Sequence, residues 1–197
     1  MSRSARIERK TKETGITLKI DLDGDGSWSG GSGIGFLDHM LELFAKHSLV
    51  SLDLKAAGDL EVDMHHTVED IGICLGKAID KALGQRKGIR RYGSTLLPMD
   101  EALAEVALDL GGRPYFVYSV RLPSPKSKSG EFDIELLEEF FQAVSTHGRM
   151  NLHMILRSGS NLHHIAEALF KSFARAFDEA KSLDTRVKDV PSTKGTL

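Results

Sequence analysis

Hydrophobic and polar positions alternate with period two between Arg6 and Asp21, around the run ITLKIDL, and predict one or two strands. The next stretch, LDGDGSWSGGSGIG, is rich in Gly, Ser and Asp and reads as a loop. From Phe36 to Ser48 the apolar residues Leu37, Met40, Leu41 and Phe44 recur at helical spacing. Val50–Lys55 alternates as a strand. His65–Leu83 sets Val68, Ile71, Leu75, Ile79 and Leu83 on one stripe, which predicts a helix with Gly84 as its stop. Further on, Ala102–Leu110 and Tyr115–Leu122 read as strands joined by a Gly-Gly-Arg-Pro turn. Ser124–Gly130 (SPKSKSG) reads as a solvated loop. Ile134–Thr146 reads as a helix, Asn151–Leu156 as a strand and Leu162–Leu183 as a long helix. The closing RVKDVPSTKGTL has no period.

Each half therefore reads β-β-α-β-α, and the halves superimpose through their second helices. HHTVE (His65–Glu69) falls on HHIAE (His163–Glu167), His47 falls near His147, and His39 falls on Glu139. A repeat of about 90 residues is too long for a solenoid unit. It predicts one compact duplicated domain, with residues 1–92 as the first half and 93–197 as the second. Strands and helices in this proportion suggest an α+β fold with helices gathered on one face of a sheet.

The length of 197 residues is enough to bury a core without a disulfide or a structural metal. The single cysteine, Cys74, fits a reducing compartment and reads as a small buried apolar residue. A net charge of −2 argues against nucleic-acid binding through bulk electrostatics. No apolar run approaches the roughly 20 residues of a membrane span, and the basic opening MSRSARIERKTK has no signal-peptide core. These features point to a cytoplasmic protein.

Six of the eight histidines lie in three close clusters, and those clusters carry the chemistry. In H-H-x-x-E at a helix start, the three side chains leave one side of the helix within an arc of about 100°. Two imidazoles and a carboxylate converging there form a metal-ligand set without thiolate, suited to Mn²⁺, Fe²⁺, Co²⁺ or Zn²⁺. Adjacent imidazoles diverge, so each pair is expected to split between two ions. One such motif alone also fits a half-exposed polar patch; two copies at equivalent places in a repeat fit it poorly. Neither copy is the HExxH pattern of zinc peptidases.

Two other stretches resemble sites less well. DLDGDG (Asp21–Gly26) matches the first half of a calcium loop, but its twelfth position is Ser32 instead of Glu and its flanks are not helical. GGSGIG is neither a dinucleotide fingerprint nor a P-loop. A scattered set of anion-binding residues comprises Arg90, Arg91, Arg113, Lys171, Ser192, Thr193 and Lys194. Each alone would be an ordinary surface residue. Lys171 stands out because it follows Glu167 by four residues on the same helix face.

Ten segments together resemble the imidazoleglycerol-phosphate dehydratase family. They are ERKTKET, LDGDG, GFLDHML, DMHHTVED, GIRRYGS, LPMDEAL, GGRPY, NLHMIL, NLHHIAEALFK and PSTKG, in the family's order over nearly the whole chain. The resemblance implies a duplicated α+β fold of four-stranded sheets and packed helices, of the ribosomal protein S5 domain 2-like type. It implies a homo-oligomer of 24 subunits with sites between subunits and two Mn²⁺ ions per site. It implies dehydration of D-erythro-imidazole-glycerol phosphate to imidazole-acetol phosphate in histidine biosynthesis.

Carried over residue by residue, the metal ligands match at His39, His65, His66, Glu69, His163, His164 and Glu167. The family's further ligand is often a His in a short H-F-F segment. Here the segment is EEFF, so Glu139 stands in its place, with His153 as the alternative. Substrate contacts match at Glu13, His47, Arg91, Arg113, Lys171, Ser192 and Lys194, with Glu13 as the acid–base group.

On this reading the substrate ring binds as an imidazolate bridging the two ions, and the dehydration passes through a diazafulvene-like intermediate. Two other functions fit parts of the pattern. A two-metal phosphoesterase would use the same cations and basic residues. A metal-storage oligomer would explain the ligands but not Arg91, Arg113 and the Ser-Thr-Lys tail. The length leaves no room for the phosphatase domain fused to this activity in bifunctional relatives.

Overall fold

The computed structural model describes residues 3–123 and 128–195. The first half runs β1 (Ser4–Lys10), β2 (Thr14–Asp21), β3 (Trp28–Gly31), α1 (Gly35–Ser48), β4 (Ser51–Gly58) and α2 (His65–Leu83). The second runs β5 (Tyr92–Met99), β6 (Ala102–Asp109), β7 (Tyr115–Ser119), a short hairpin β8 (Lys128–Ser129) and β9 (Phe132–Asp133), α3 (Leu136–Gly148), β10 (Asn151–Ser158) and α4 (Leu162–Lys181). The sheets are ordered β1-β2-β4-β3 and β5-β6-β10-β7. Their pairings also correspond: β2 is antiparallel to β4 and β3 parallel to it, as β6 and β7 are to β10. The duplication read from the HHxxE motifs is thus a duplication of topology.

Three strands precede the first helix of the first half, and three plus the short β8–β9 hairpin precede that of the second, which corrects the predicted order of two in each. β3 lies inside the stretch read as a loop. It is four residues long, half of them Gly, and its pairing comes from the parallel edge of β4, so no local period marks it. Gly30, at φ +93°, lets the chain pass there, since a Cβ would sit 1.8 Å from the Leu54 carbonyl oxygen. β5 was not predicted either: its outer-facing positions include the exposed Tyr92 and Leu96, which blur the alternation. In the predicted loop Ser124–Gly130, residues 124–127 lie outside the described residues, and Lys128–Ser129 pairs with Phe132–Asp133. The calcium-like DGDG turn is occupied by protein: the Arg3 guanidinium pairs with Asp23, and Asp25 accepts from the Ser27 backbone.

Each sheet carries its helices on one face, and the halves meet helix to helix. α2 lies on β1, β2 and β4 and packs against α3; α4 lies on β5 and β6 and packs against α1. Strand alternation supplies the sheet side of the core: Ile16, Leu18 and Ile20 of β2 point inward and Gly15 and Lys19 outward. Between the helices, Phe44 of α1 stacks on Phe173 of α4 at 5.4 Å, and Phe141 of α3 meets Phe170 of α4 at 4.7 Å. The α2–α3 contact is closer. A Cβ on Gly72 would lie 2.7 Å from the Phe140 carbonyl oxygen, and one on Gly76 would lie 2.8 Å from the backbone of Val144 and Gly148. The equivalent positions of α4 are Phe170 and Ala174, so the two helix pairs are spaced differently.

Candidate metal and substrate site

The HHxxE motifs open α2 and α4, the helices at the centre of each half. On α4, Asn161 caps the N-terminus, its side chain accepting from the His163 and His164 backbone N–H groups. Asp63 accepts from the His65 N–H ahead of α2. The Asn161 cap and the Asp63 hydrogen bond hold the first turn of each helix, and with it the direction in which the histidines project.

The described residues contain one group of three potential ligands within reach of a single ion: His39 of α1 with His163 and Glu167 of α4, their ligand atoms all within 4.8 Å of one another. The two rings place Nε2 at 3.0 Å and 2.9 Å from Glu167 Oε1. Lys171 Nζ, one turn further along α4, donates to the other oxygen, Oε2. Burial alone would raise the Glu167 carboxyl. The hydrogen bonds from Lys171, His39 and His163 outweigh it and hold the group down at about 2. Two imidazole nitrogens and an anionic oxygen so arranged suit a borderline divalent cation, which would replace the protons the rings give to the carboxylate.

The second histidine of each motif has a different partner. His164 Nδ1 donates to Glu101 Oε2 at 2.7 Å, and His66 Nδ1 donates to Asp59 Oδ2 at 3.0 Å. Those hydrogen bonds raise both histidines above their ordinary values. Glu101 is held at about 2, first by His164 and then by the Asn161 and Ser160 N–H groups. Adjacent rings do diverge, standing 6.3 Å apart at 84° in one pair and 6.5 Å apart at 86° in the other.

The first-half counterpart of the three-ligand group is looser. His65 Nε2 lies 3.6 Å from Glu69 Oε2, and Glu139 is exposed on α3 without joining them at ligand distance. His153 is turned by strand alternation to the outer face of the second sheet, where its ring stacks on Tyr115. Glu13 sits exposed in the β1–β2 hairpin, close enough for its charge to raise His66. His47, in the last turn of α1, is lowered by burial and then by the charges of Lys171 and Arg175.

Four of the predicted substrate residues do converge. Arg91, Arg113, Ser192 and Lys194 line one cleft of about 760 Å³ with Tyr92, Gly111, Pro191 and Thr193. Arg91, at φ +75°, is braced in it: Nε and Nη2 grip Asp109 at 2.6 and 3.0 Å, and Nη1 donates to the Pro191 carbonyl at 2.8 Å. Gly111 has no side chain because a Cβ would meet the Asp109 carboxylate at 2.8 Å. Lys171 and His47 lie with the three-ligand group instead. Sequence reasoning missed Asp59, Glu101 and Asp109. Glu101 had a signal, since it precedes β6 as Glu13 precedes β2.

Residues 32–177 match the family profile described as imidazoleglycerol-phosphate dehydratase. The chain belongs to the imidazoleglycerol-phosphate dehydratase family. It is 56% identical over 197 residues to the imidazoleglycerol-phosphate dehydratases of Geobacter sulfurreducens and Acetivibrio thermocellus, covering all of each chain. The crystal structure of the Staphylococcus aureus dehydratase superimposes with a TM-score of 0.83 at 40% identity, covering 92% of this chain and 99% of that one. The IGPD of Pyrococcus furiosus superimposes at 0.82 and 37% identity, covering 97% and 100%. Membership makes the chain an enzyme, a hydro-lyase. Among the described residues no helix is long and apolar enough to cross a membrane.

Proposed function

We propose that this chain dehydrates D-erythro-imidazole-glycerol phosphate to imidazole-acetol phosphate, a step of histidine biosynthesis, with two Mn²⁺ ions per site. The observation that carries the reading is the His39–His163–Glu167 group, built where the repeated motif of one half meets a helix of the other. His39, His163 and Glu167 would hold one ion, and His65, Glu69 and Glu139 its counterpart. His66 and His164, held apart from the three-ligand group, would complete sites on neighbouring subunits of a homo-oligomer, taken as 24 subunits. When bound, the metal supplies Lewis acidity that stabilises an electron-rich imidazole ring.

The chain's own residues do the rest. Arg91, Arg113, Ser192 and Lys194 bind the phosphate, with Arg91 pre-positioned by Asp109 so that little side-chain freedom is lost on binding. Lys171 and His47 contact the substrate beside the ligand group. The hydroxyl leaves from the carbon attached to the ring, Glu13 takes the proton from the neighbouring carbon, and that proton and the hydroxide leave together as water. The resulting enol tautomerises to the ketone. Glu13 serves because it is exposed and belongs to neither ligand motif. The buried, unpaired Cys74 suits a reducing cytoplasm.

Glu13→Gln tests the reading. It should keep metal content and assembly and lose turnover by about 10²–10⁴-fold, the usual contribution of a positioned proton-transfer group. Near-normal turnover would remove Glu13 from the reaction.

A further inference from the structure

The two hairpin glutamates occupy equivalent places in the repeat, Glu13 just before β2 and Glu101 just before β6, yet their surroundings differ. Glu101 is fully engaged. Its Oε2 accepts from His164 Nδ1, and its Oε1 accepts from the backbone N–H groups of Ser160 and Asn161 at 3.1 and 2.7 Å and from Ser160 Oγ at 3.4 Å. In the first half the corresponding histidine, His66, is held by Asp59, the residue that follows β4. The repeat places Gly159 opposite Asp59, and Gly159 has φ +153° and no space for a side chain: a Cβ would lie 2.7 Å from Ile165. The second half therefore cannot use the β4-type position, and its hairpin glutamate takes over.

We infer that Asp59 and Glu101 are positioning residues that fix the second histidine of each HHxxE motif with its proton on Nδ1 and its Nε2 lone pair turned outward for a cation, and that Asp59 thereby leaves Glu13 unengaged. A neutral imidazole carries one N–H, so a carboxylate on Nδ1 settles the tautomer and the ring angle together. Of the two oxygens of Asp59, Oδ2 is on His66, and Oδ1 is buried without a hydrogen-bond partner among the described residues. This geometry explains why two glutamates at matching positions have separate tasks. Glu101 is tied to a ring and to the cap of α4, whereas Glu13 is exposed. The inference rests on the proposed reading that His66 and His164 are metal ligands.

The experiment is Mn²⁺ titration of the metal-stripped full chain, without substrate, followed by the electron paramagnetic resonance of free Mn²⁺. Glu101→Gln and Asp59→Ala should each raise the dissociation constant about 10- to 100-fold, as loss of an outer carboxylate does at metal sites. In Glu101→Gln an –NH₂ must face either His164 or the amides at 160–161. Asp59→Asn, whose amide oxygen can still accept from His66, should lose less than Asp59→Ala. Unchanged affinity in both Glu101→Gln and Asp59→Ala would overturn the inference. A wild-type chain that binds no Mn²⁺ would instead overturn the reading beneath it. Solid-state ¹⁵N spectra of histidine-labelled wild-type protein at alkaline pH need no variant. They should show His66 and His164, identified by single substitutions, protonated on Nδ1; protonation on Nε2 would contradict the assignment.

Discussion

His39 Nε2 lies 3.0 Å from Glu167 Oε1, across 128 residues and across the boundary between the two halves. Because α1 packs against α4, a histidine of the first half completes the motif of the second. The ligand group therefore depends on how the halves dock as well as on the HHxxE spacing.

The histidine can be removed without disturbing the core, since its side chain is 41% exposed. His39→Ala should leave the melting temperature of the metal-free chain within a few degrees of wild type, as for most surface changes. It should nevertheless weaken Mn²⁺ binding at least about tenfold, by the scale on which metal sites respond to their surroundings. Calorimetry and metal titration read the two effects separately. Undiminished metal affinity would exclude His39 as a ligand.

Glu167 gives the metal-free chain a defined acid response. Its folded carboxyl sits at about 2, against an ordinary value of 4.5. A folded value below the unfolded one means that its stabilisation is complete above the ordinary value and is lost as the pH falls toward the folded value. Urea unfolding at stepped pH should show the wild type losing stability between about pH 4.5 and 2 more steeply than Glu167→Gln. Parallel pH profiles would show that the carboxylate is not engaged by Lys171, His39 and His163.

The close approach of α2 and α3 should make Gly76 intolerant of a side chain. Gly76→Leu drives a Cβ into the backbone of Val144 and Gly148, and overpacking of this kind costs about 1–3 kcal/mol. Gly15→Ala is the control: nothing lies within 4 Å of its Cβ, so a change within about 0.5 kcal/mol is expected. Equal denaturation midpoints for the two variants would mean that the helices are not in contact as described.

The helices were legible because each buries one stripe: the predicted His65–Leu83 coincides with α2, and Phe36–Ser48 misses α1 by a single residue. β3 was not legible, since four residues with two glycines have no period of their own and pair only because β4 is adjacent. The matching places of the two HHxxE motifs, at the starts of α2 and α4, were legible from repetition. The place of His39 beside Glu167 was not, because that contact arises from helix packing across the repeat. Asp59 gave no signal, being an ordinary loop residue until the fold brings it to His66. The cleft residues Arg91, Arg113, Ser192 and Lys194 could be listed from composition and family likeness. Asp109, which braces Arg91, shows only when β6 runs alongside β5.

The central claim is that this chain removes water from a phosphorylated imidazole triol with metal help. The most direct measurement is incubation of the Mn²⁺-loaded protein with D-erythro-imidazole-glycerol phosphate, following both the enolisable ketone and free inorganic phosphate. The account predicts that imidazole-acetol phosphate accumulates with its phosphate intact, that chelation abolishes this, and that Mn²⁺ restores it. Release of inorganic phosphate, or conversion that persists in rigorously metal-stripped protein, would contradict it.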